Sequence, residues 1–264
     1  MMQDYSGRIR AYWTERMPSF SIIRNNELRD EISRRWVDVF TEYLPEDRVL
    51  KILDVGTGTG YFSILLAKMG NRAVGIDLTP AMVEEAKKVA AAEFSASGEA
   101  ADKEIGTDDF PKEKILPEFL VMNAQELEFE DESFDAVVTR NLTWTLPDPE
   151  QAYREWYRVL KKGGILLNFD ADYAENVRNH NQKNSYITKK EVYGHIGVTP
   201  ELEKESAEIT LAMPASLHQR PQWDQELARK IGFSSCGADL QAGAKILKDR
   251  DLEDAPLFLF WAVR

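Results

Sequence analysis

Short apolar runs alternate with longer amphipathic stretches along the middle of the chain, from Val49 to about Phe169. The apolar runs have the length and composition of buried strands, and they lie at 49–55, 73–77, 119–122, 135–139 and 165–170. The stretches after the first, second and fourth runs carry apolar residues at helical spacing. Strands that alternate with helices are typical of βα units around a parallel sheet. We therefore predict an α/β core.

Capping and turn residues mark the boundaries of these elements. Thr79 and Pro80 are residue types typical of an N-cap and a first helical position, so a helix is expected from there to about residue 94. Asp148 opens a further helix that runs to about residue 160, and Gln151 is placed to complete a capping box. The two glycines at 163–164 predict a turn into the fifth strand.

The other segments complete the predicted organisation of a single domain. Residues 1–48 contain an amphipathic stretch and form an N-terminal helical cap on the core, which spans 49–170. Residues 95–114 are rich in Ser, Gly, Ala and charge, which predicts a mobile surface insertion within that core. Residues 171–222 form a polar, aromatic-dotted and helical insert after the fifth strand. Residues 223–264 add a helix and two strands.

Composition narrows the classes of partner and the compartment. The chain has 264 residues and is 43% hydrophobic, which is enough for one sizeable core. With 33 Lys and Arg against 45 Asp and Glu, its formal charge of −12 argues against a nucleic acid or an anionic lipid surface as the main partner. The single cysteine, Cys236, allows no internal disulfide or cysteine-pair zinc site, and no signal peptide or transmembrane stretch is visible. We expect a cytoplasmic, reduced protein without a metal.

Three glycines, Gly56, Gly58 and Gly60, follow the first strand and precede the first helix. A dinucleotide fingerprint places its third glycine five residues after the first, where this chain has Tyr61. Asp54, two positions before the first glycine, would repel a pyrophosphate but suits a ligand that carries an ammonium group. A P-loop is excluded because no Lys-Ser/Thr pair follows. The alternative is a tight turn of the kind found in any α/β protein.

The second strand ends at Asp77, 21 positions after Gly56. A carboxylate at the end of that strand can accept hydrogen bonds from both hydroxyls of a ribose. The alternative is an exposed strand-end aspartate of the kind common in turns. The joint occurrence of Asp54, the three glycines and Asp77 favours a ligand site.

Five motifs in order make the stretch from Ile52 to Asp170 resemble the class I S-adenosylmethionine-dependent methyltransferases, in the branch that includes many small-molecule enzymes. The resemblance implies a Rossmann-like, seven-stranded and mostly parallel sheet of order 3-2-1-4-5-7-6, with the last strand antiparallel. The motifs are Leu53-Asp54-Val55-Gly56-Thr57-Gly58-Thr59-Gly60, Gly75-Ile76-Asp77-Leu78-Thr79-Pro80-Ala81-Met82, Asn123-Ala124-Gln125-Glu126-Leu127, Phe134-Asp135-Ala136-Val137-Val138 and Arg158-Val159-Leu160-Lys161-Lys162-Gly163-Gly164.

The resemblance also implies which residues bind S-adenosylmethionine and its product S-adenosylhomocysteine. The glycine loop would hold the methionine part, and Asp77 the ribose. Asn123 stands where the family usually has an aspartate that contacts adenine, and a carboxamide can accept a bond from the adenine amino group. Asn141 lies just past the fourth strand, near the methionine end. The expected cofactor-binding residues are Asp54, Gly56, Thr57, Gly58, Gly60, Asp77, Leu78, Asn123, Ala124, Asn141, Tyr12 and Trp13.

The segments outside the core resemble uncharacterised bacterial members of this superfamily. In those proteins a Trp-x-x-Arg stretch, here Trp13 to Arg16, accompanies a late Arg-Pro-x-Trp stretch, here 220–223. We expect 1–48 and 171–222 to meet over the carboxyl ends of the strands as a lid that encloses the acceptor site. The residues predicted to contact substrate are Arg16, Phe20, Arg220 and Trp223.

Methyl transfer from a sulfonium is an in-line displacement that depends on positioning, so a base is needed only if the acceptor must first lose a proton. His218 lies beside an Arg and a Trp, and Asp170 and Tyr173 follow the fifth strand at the edge where ligands bind in open α/β sheets. These three are the candidate catalytic residues. The alternatives are a structural or surface histidine and an ordinary strand-end turn.

Several functions stay open on the sequence alone. The leading hypothesis is a methyltransferase that acts on a small molecule, as a monomer or homodimer, without nucleic acid or membrane. A protein side-chain methyltransferase and a non-catalytic S-adenosylmethionine-binding sensor or accessory protein are the alternatives. Amino-methylating DNA enzymes carry an Asn/Asp-Pro-Pro-aromatic motif, and this chain contains no Pro-Pro. The glycine spacing disfavours a nicotinamide oxidoreductase.

Overall fold

A seven-stranded sheet forms the centre of the computed structural model, which describes residues 5–95, 115–175, 177, 197–253 and 255–264. The strand order is β3-β2-β1-β4-β5-β7-β6, and only β7 runs antiparallel to its neighbours among the described strands. The predicted fold class is therefore confirmed. The strands are β1 Lys51–Val55, β2 Arg72–Asp77, β3 Glu118–Val121, β4 Phe134–Arg140, β5 Leu160–Asp170, β6 Ser235–Asp239 and β7 Phe258–Val263.

Helices cover both faces of the sheet. Each face buries a separate apolar cluster, one around Trp36 and Phe62 and the other around Tyr153 and Trp156. The described helices are α1 Tyr5–Glu27, α2 Glu31–Tyr43, α3 Tyr61–Lys68, α4 Pro80–Ser95, α5 Pro149–Val159, α6 Pro200–Ala212, α7 Gln222–Ile231 and α8 Ala242–Ile246.

Strand β5 begins five residues earlier than its apolar run predicts. Leu160 pairs with Phe134, and the register then shifts, so that Ile165 pairs with Ala136. Gly163 takes up the irregularity with a φ of +75°, a backbone conformation that glycine adopts at little cost. The predicted turn at 163–164 is therefore an irregular part of the strand.

The N-terminal segment contains two helices where the apolar pattern indicated one. Asp30 separates them, because its side chain accepts a hydrogen bond from the Ile32 amide and caps α2. The first helix, α1, has no apolar stripe and contains Pro18, which is why the sequence did not predict it. Its buried residues contact α4 and α6 rather than one continuous core.

The insert after β5 contributes α6, which Thr199 caps, and a 3₁₀ turn at Pro214–Leu217. This part of the insert packs on α1. Arg8 reaches across to Glu205 and Glu208 at 2.6 and 2.9 Å. The apolar residues at this contact are Ile9, Tyr12, Leu202, Ile209 and Met213. From here on, "the lid" means α1 together with α6.

The predicted mobile insertion at 95–114 lies outside the described residues, except for its first position. No helix within the described ranges is long and apolar enough to cross a bilayer.

Candidate functional site

The glycine loop connects β1 to α3 at the carboxyl edge of the sheet. Gly56, Gly58 and Gly60 all have positive φ, at +71°, +55° and +87°. A Cβ on Gly60 would lie 2.9 Å from the ring of Phe119, and one on Gly56 would lie 2.9 Å from Leu142. Glycine is required at these positions by both backbone conformation and space.

Asp54 of β1 supports this loop through hydrogen bonds. Its buried Oδ2 accepts hydrogen bonds from Thr57 Oγ1 at 2.6 Å, from Ser63 N at 2.9 Å and from Ser63 Oγ at 2.7 Å. Burial raises the pKa of the carboxyl group to about 6. Asp54, which was predicted to support the methionine end of the site, therefore holds the glycine loop in its conformation. Gly75 on β2 leaves space for the Ser63 side chain, because a Cβ at position 75 would lie 2.6 Å from Ser63 Oγ.

Asp77 ends β2 and connects the loop to the following helix. Its Oδ2 accepts from Gly58 N at 3.0 Å, and its Oδ1 accepts from Thr79 N at 2.8 Å. Burial raises the pKa of this carboxyl group as well. Leu78, next in the chain, is half-buried. The carboxylate is therefore fixed at the strand end.

The predicted adenine-side residues follow β3. Asn123 Oδ1 accepts from the backbone amide of Gln125 at 3.1 Å and from its side-chain amide at 3.3 Å. The carbonyl oxygen of Ala124 accepts from Trp156 Nε1 at 3.1 Å. The side-chain oxygen of Asn123 thus already shapes its own turn. The carboxamide nitrogen is the group that differs chemically from the carboxylate usual in the family.

Asn141 follows β4 with a φ of +55°, an uncommon conformation for a residue with a side chain. Its amide donates to the Phe169 carbonyl at 2.8 Å, and its carbonyl accepts from Trp144 Nε1 at 2.9 Å. Its buried Oδ1 has no hydrogen-bond partner within the described part of the chain. The same is true of Thr59 Oγ1 in the glycine loop.

Aromatic residues of α1 lie over the glycine loop. Trp13 packs edge-on against Tyr12 at 5.2 Å and against Phe20 at 5.5 Å between ring centroids. A Cβ on Gly58 would lie 3.2 Å from the Phe20 ring. The structure thus brings Phe20 against the loop, and the predicted residues Trp13 and Tyr12 pack behind Phe20.

Buried arginines lie on α1 and next to it. Glu27, 1% exposed, pairs with Arg24 at 2.6 Å and with Arg140 of β4 at 3.0 Å. Burial opposes ionisation of Glu27, but the two guanidinium groups outweigh it and hold its pKa below the ordinary value. Arg16 is also buried, which lowers its pKa, and it donates to the Ser19 hydroxyl. The sequence analysis predicted Arg16 as a site residue, but it did not predict the buried triad of Glu27, Arg24 and Arg140.

Tyr173 lies beyond β5 and packs edge-on against Trp144 at 5.3 Å between ring centroids. Trp144 also packs on the lid cluster of α1 and α6. Burial raises the pKa of the Tyr173 hydroxyl above its ordinary value, so it stays protonated at neutral pH. Of the three predicted catalytic residues, Tyr173 is the one that meets the lid through Trp144.

Asp170 and Arg220 are placed differently from their predicted roles. Arg220 Nη1 donates to Asp170 Oδ2 at 2.7 Å, and Nε and Nη2 donate to Asp224 at 3.0 and 2.8 Å. A guanidinium group removed from water needs such partners because desolvation of an unpaired charge is costly. We correct two predictions accordingly: Asp170 is an ion-pair partner rather than an open base, and the Arg220 guanidinium is paired within its own chain rather than held free for a substrate.

His218 is exposed and stacks on Trp223, with ring centroids 4.6 Å apart and planes within 1°. The pair lines a cleft of about 430 Å³ with the start of α5 and with Glu226 and Lys230 of α7. Neither the glycine loop nor the aromatic residues of α1 line this cleft. The structure therefore does not bring His218 and Trp223 together with Arg16 and Phe20.

The residues at the edge fit S-adenosylmethionine. A fixed carboxylate, Asp77, suits a ribose, and the unpartnered oxygens of Thr59 and Asn141 can accept hydrogen bonds from an ammonium group. The glycines allow close approach of the backbone. A local sequence signal exists for each of these residues except Thr59, which differs from the other threonine of the loop through its unpartnered buried hydroxyl.

Comparisons with known proteins agree with this geometry. Residues 53–168 match the family model described as "Methyltransferase domain". The chain is 31% identical over 150 residues to a ubiquinone/menaquinone biosynthesis C-methyltransferase of Rhizobium rhizogenes. The aligned residues cover 55% of this chain and 51% of that protein. The chain is 27% identical over 235 residues to a demethylmenaquinone methyltransferase of Chlorobaculum tepidum, which covers 85% and 84%. The chain spans about half the length of the first curated relatives that it matches.

Among solved structures, the PH0226 protein of Pyrococcus horikoshii superposes with a TM-score of 0.58 at 19% identity, over 93% of this chain and 95% of that one. This likeness extends the shared fold beyond the matched core to the segments that carry the lid. Taken with the glycine loop, Asp77 and the sheet order, these findings show that the core at 53–168 is a methyltransferase domain with the fold of the class I S-adenosylmethionine-dependent methyltransferases.

Proposed function

We propose that this chain transfers a methyl group from S-adenosylmethionine to a small-molecule acceptor. One observation carries the proposal: the glycine loop, braced by Asp54 and Asp77, meets the aromatic residues of α1 at the carboxyl edge of the sheet. That edge is where open α/β sheets bind ligands. A site with a fixed ribose acceptor on one side and an aromatic cover on the other suits a cofactor and a buried reaction.

The two halves of the site have separate tasks in this proposal. Asp77 accepts from the ribose hydroxyls, and Asn141 accepts from the methionine ammonium group. Asn123 and Ala124 lie on the adenine side. When S-adenosylmethionine is bound, its sulfonium supplies a methyl group that is already activated. The protein then has to place an acceptor atom in line with that methyl group, which can contribute about 7–11 kcal/mol.

Exclusion of water is the task of the lid. Phe20 covers the glycine loop with Trp13 packed against it, and Trp144 connects the α1–α6 cluster to Tyr173 beyond β5. A protonated Tyr173 hydroxyl donates a hydrogen bond to an acceptor oxygen or nitrogen and so orients it. This is a binding role, since a phenol with a raised pKa is a poor base.

The lid also supports the choice of a small acceptor over a protein side chain. The α1–α6 contact is made by apolar residues and by the Arg8–Glu205 ion pair, and Trp144, which follows β4, packs against it. The Rhizobium and Chlorobaculum relatives are named for methylation in quinone biosynthesis, a small-molecule chemistry. A monomeric or homodimeric state, a cytoplasmic location and the absence of nucleic-acid or membrane partners stay predictions.

Calorimetric titration tests the cofactor. S-adenosylhomocysteine is expected to bind, and NAD is expected to show no useful affinity, because the glycine spacing and Asp54 oppose a pyrophosphate. Tighter binding of NAD would end the proposal. Release of S-adenosylhomocysteine from S-adenosylmethionine, measured with a panel of small acceptors, separates an enzyme from a non-catalytic binding protein.

The lid makes a second prediction. Lids must open for ligand exchange, so α1 is expected to be cut by trypsin at its arginines in the free protein and to be protected when S-adenosylhomocysteine is bound. Limited proteolysis followed by mass spectrometry measures the cleavage at Arg8, Arg10, Arg16 and Arg24. NAD at the same concentration is the control ligand and should give no protection. The same cleavage pattern with and without S-adenosylhomocysteine would contradict a moving lid.

A further inference from the structure

A buried polar network lies at the carboxyl end of β5, on the side away from the glycine loop. Its centre is Arg220, whose side chain is 1% exposed, between Asp170 and Asp224, whose side chains are 0% exposed. All three guanidinium nitrogens donate to these carboxylates, at 2.7 to 3.0 Å. The guanidinium is thus committed to its own chain.

The network continues from Asp224 back to the sheet. Tyr153 on α5 donates its hydroxyl hydrogen to Asp224 Oδ1 at 2.6 Å. Asn168 on β5 donates to the Tyr153 hydroxyl at 2.8 Å and to Thr143 Oγ1 at 2.9 Å. Consecutive hydrogen bonds therefore tie three successive elements, the 3₁₀ turn at Thr143–Thr145, α5 and β5, to the distant helix α7.

Each end of this network leads to a wall of the acceptor side. Thr143 immediately precedes Trp144, and Asp170 accepts from the Ala171 amide at 3.0 Å, which fixes the turn toward Tyr173. Arg220 follows the 3₁₀ turn that contains Ser216. Trp144, Tyr173, Ser216 and Arg220 together line a small cavity of about 10 Å³.

The charge arrangement is costly as a source of stability alone. Two carboxylates share one guanidinium, and burial raises the pKa of Asp170. Buried ion pairs of this kind often stabilise no more than apolar residues of the same volume, whereas they can specify one arrangement of the groups they connect. The geometry therefore favours a role in placement.

We propose that Arg220 is a positioning residue, which holds Trp144, Tyr173 and the turn at 214–217 in the relative arrangement that forms the acceptor side of the site. This inference rests on the proposed function, because it assigns the acceptor to that side. It replaces the predicted direct contact between Arg220 and substrate. The part of the cofactor half built from β1, β2 and the glycine loop lies outside the network, and Asn141 is connected to the network through the hydrogen bond from Trp144 Nε1 to its carbonyl.

Fluorine NMR of protein labelled with 5-fluorotryptophan tests the proposal. Trp144 is the reporter, assigned with Trp144→Phe, and Trp36 on the opposite face of the sheet is the reference. Arg220→Lys keeps the charge but loses the paired geometry toward Asp224. We expect the Trp144 resonance to shift or broaden and the Trp36 resonance to stay unchanged. The dissociation constant for S-adenosylhomocysteine should change by less than about tenfold, because β1, β2 and the glycine loop lie outside the network.

Tyr153→Phe is the second variant and guards against loss of folding in the first. It removes one hydroxyl from the network without changing the packed ring, and it should move the Trp144 resonance in the same direction by a smaller amount. An unchanged Trp144 resonance in both folded variants would overturn the proposal. Equal changes at Trp144 and Trp36 would also overturn it, since they indicate a general loss of packing. Failure of the wild type to bind S-adenosylhomocysteine would instead contradict the proposed function.

Discussion

Replacement of Asp77 by alanine is expected to weaken the binding of S-adenosylhomocysteine by about 1.5–3 kcal/mol, or roughly ten- to a hundredfold. The variant loses a charged acceptor for the ribose hydroxyls. It also releases Gly58 N, which donates to Asp77 at 3.0 Å, so the glycine loop loses part of its support. Isothermal titration calorimetry measures the dissociation constant.

The two backbone contacts of Asp77 change one expectation from the sequence. A side chain that only pointed at ligand would leave folding unaffected. In the structure, removal of Asp77 leaves the amides of Gly58 and Thr79 unpaired, so a loss of about 1–3 kcal/mol in the free energy of unfolding is expected as well. Denaturant unfolding of the ligand-free protein measures this part separately.

Asp239→Ala provides the matched control. Asp239 also ends a strand, β6, and accepts from the amide two positions ahead, Gln241 N, at 2.8 Å. It lies at the far edge of the sheet from β2, so its removal should leave the affinity for S-adenosylhomocysteine unchanged. An equal dissociation constant for Asp77→Ala and Asp239→Ala would show that Asp77 is only a strand-end residue.

Replacement of Glu27 by alanine is expected to lower the free energy of unfolding by about 3–5 kcal/mol, the scale for removal of one partner from a buried ion pair. Glu27 is 1% exposed and compensates Arg24 and Arg140. Without it, two guanidinium groups stay buried at the end of β4 and under α1. Urea unfolding followed by circular dichroism measures the change.

An exposed carboxylate between two cations is the control. Glu150 pairs with Arg154 at 2.6 Å and with Lys230 at 2.8 Å, but its side chain is 38% exposed. Solvent screens such pairs, so Glu150→Ala should be far less destabilising than Glu27→Ala. If Glu27→Ala were no more destabilising than Glu150→Ala, the triad would not hold α1 on the sheet.

The strands of the central sheet and the residues of the cofactor half could be predicted from the sequence. Buried strands are recognised by their continuous apolar runs, and positive φ at Gly56, Gly58 and Gly60 is a local property of the chain. Asp54 is held by Thr57 and Ser63, three and nine positions away, and Asp77 is held in part by Thr79, two positions away. Wherever a residue's neighbours in space are also its neighbours in sequence, the pattern was sufficient.

Which charged groups are buried, and which partners they pair with, became clear from the tertiary structure. Glu27 and Arg140 are 113 positions apart, and Asp170 and Arg220 are 50 apart. No local pattern distinguishes a guanidinium that faces a ligand from one that is paired inside the protein. Helix α1 was missed for a related reason: its buried residues contact α4 and α6, two surfaces that the sequence does not place. Burial of polar groups depends on the partners that folding brings to them, and these partners come from distant parts of the chain.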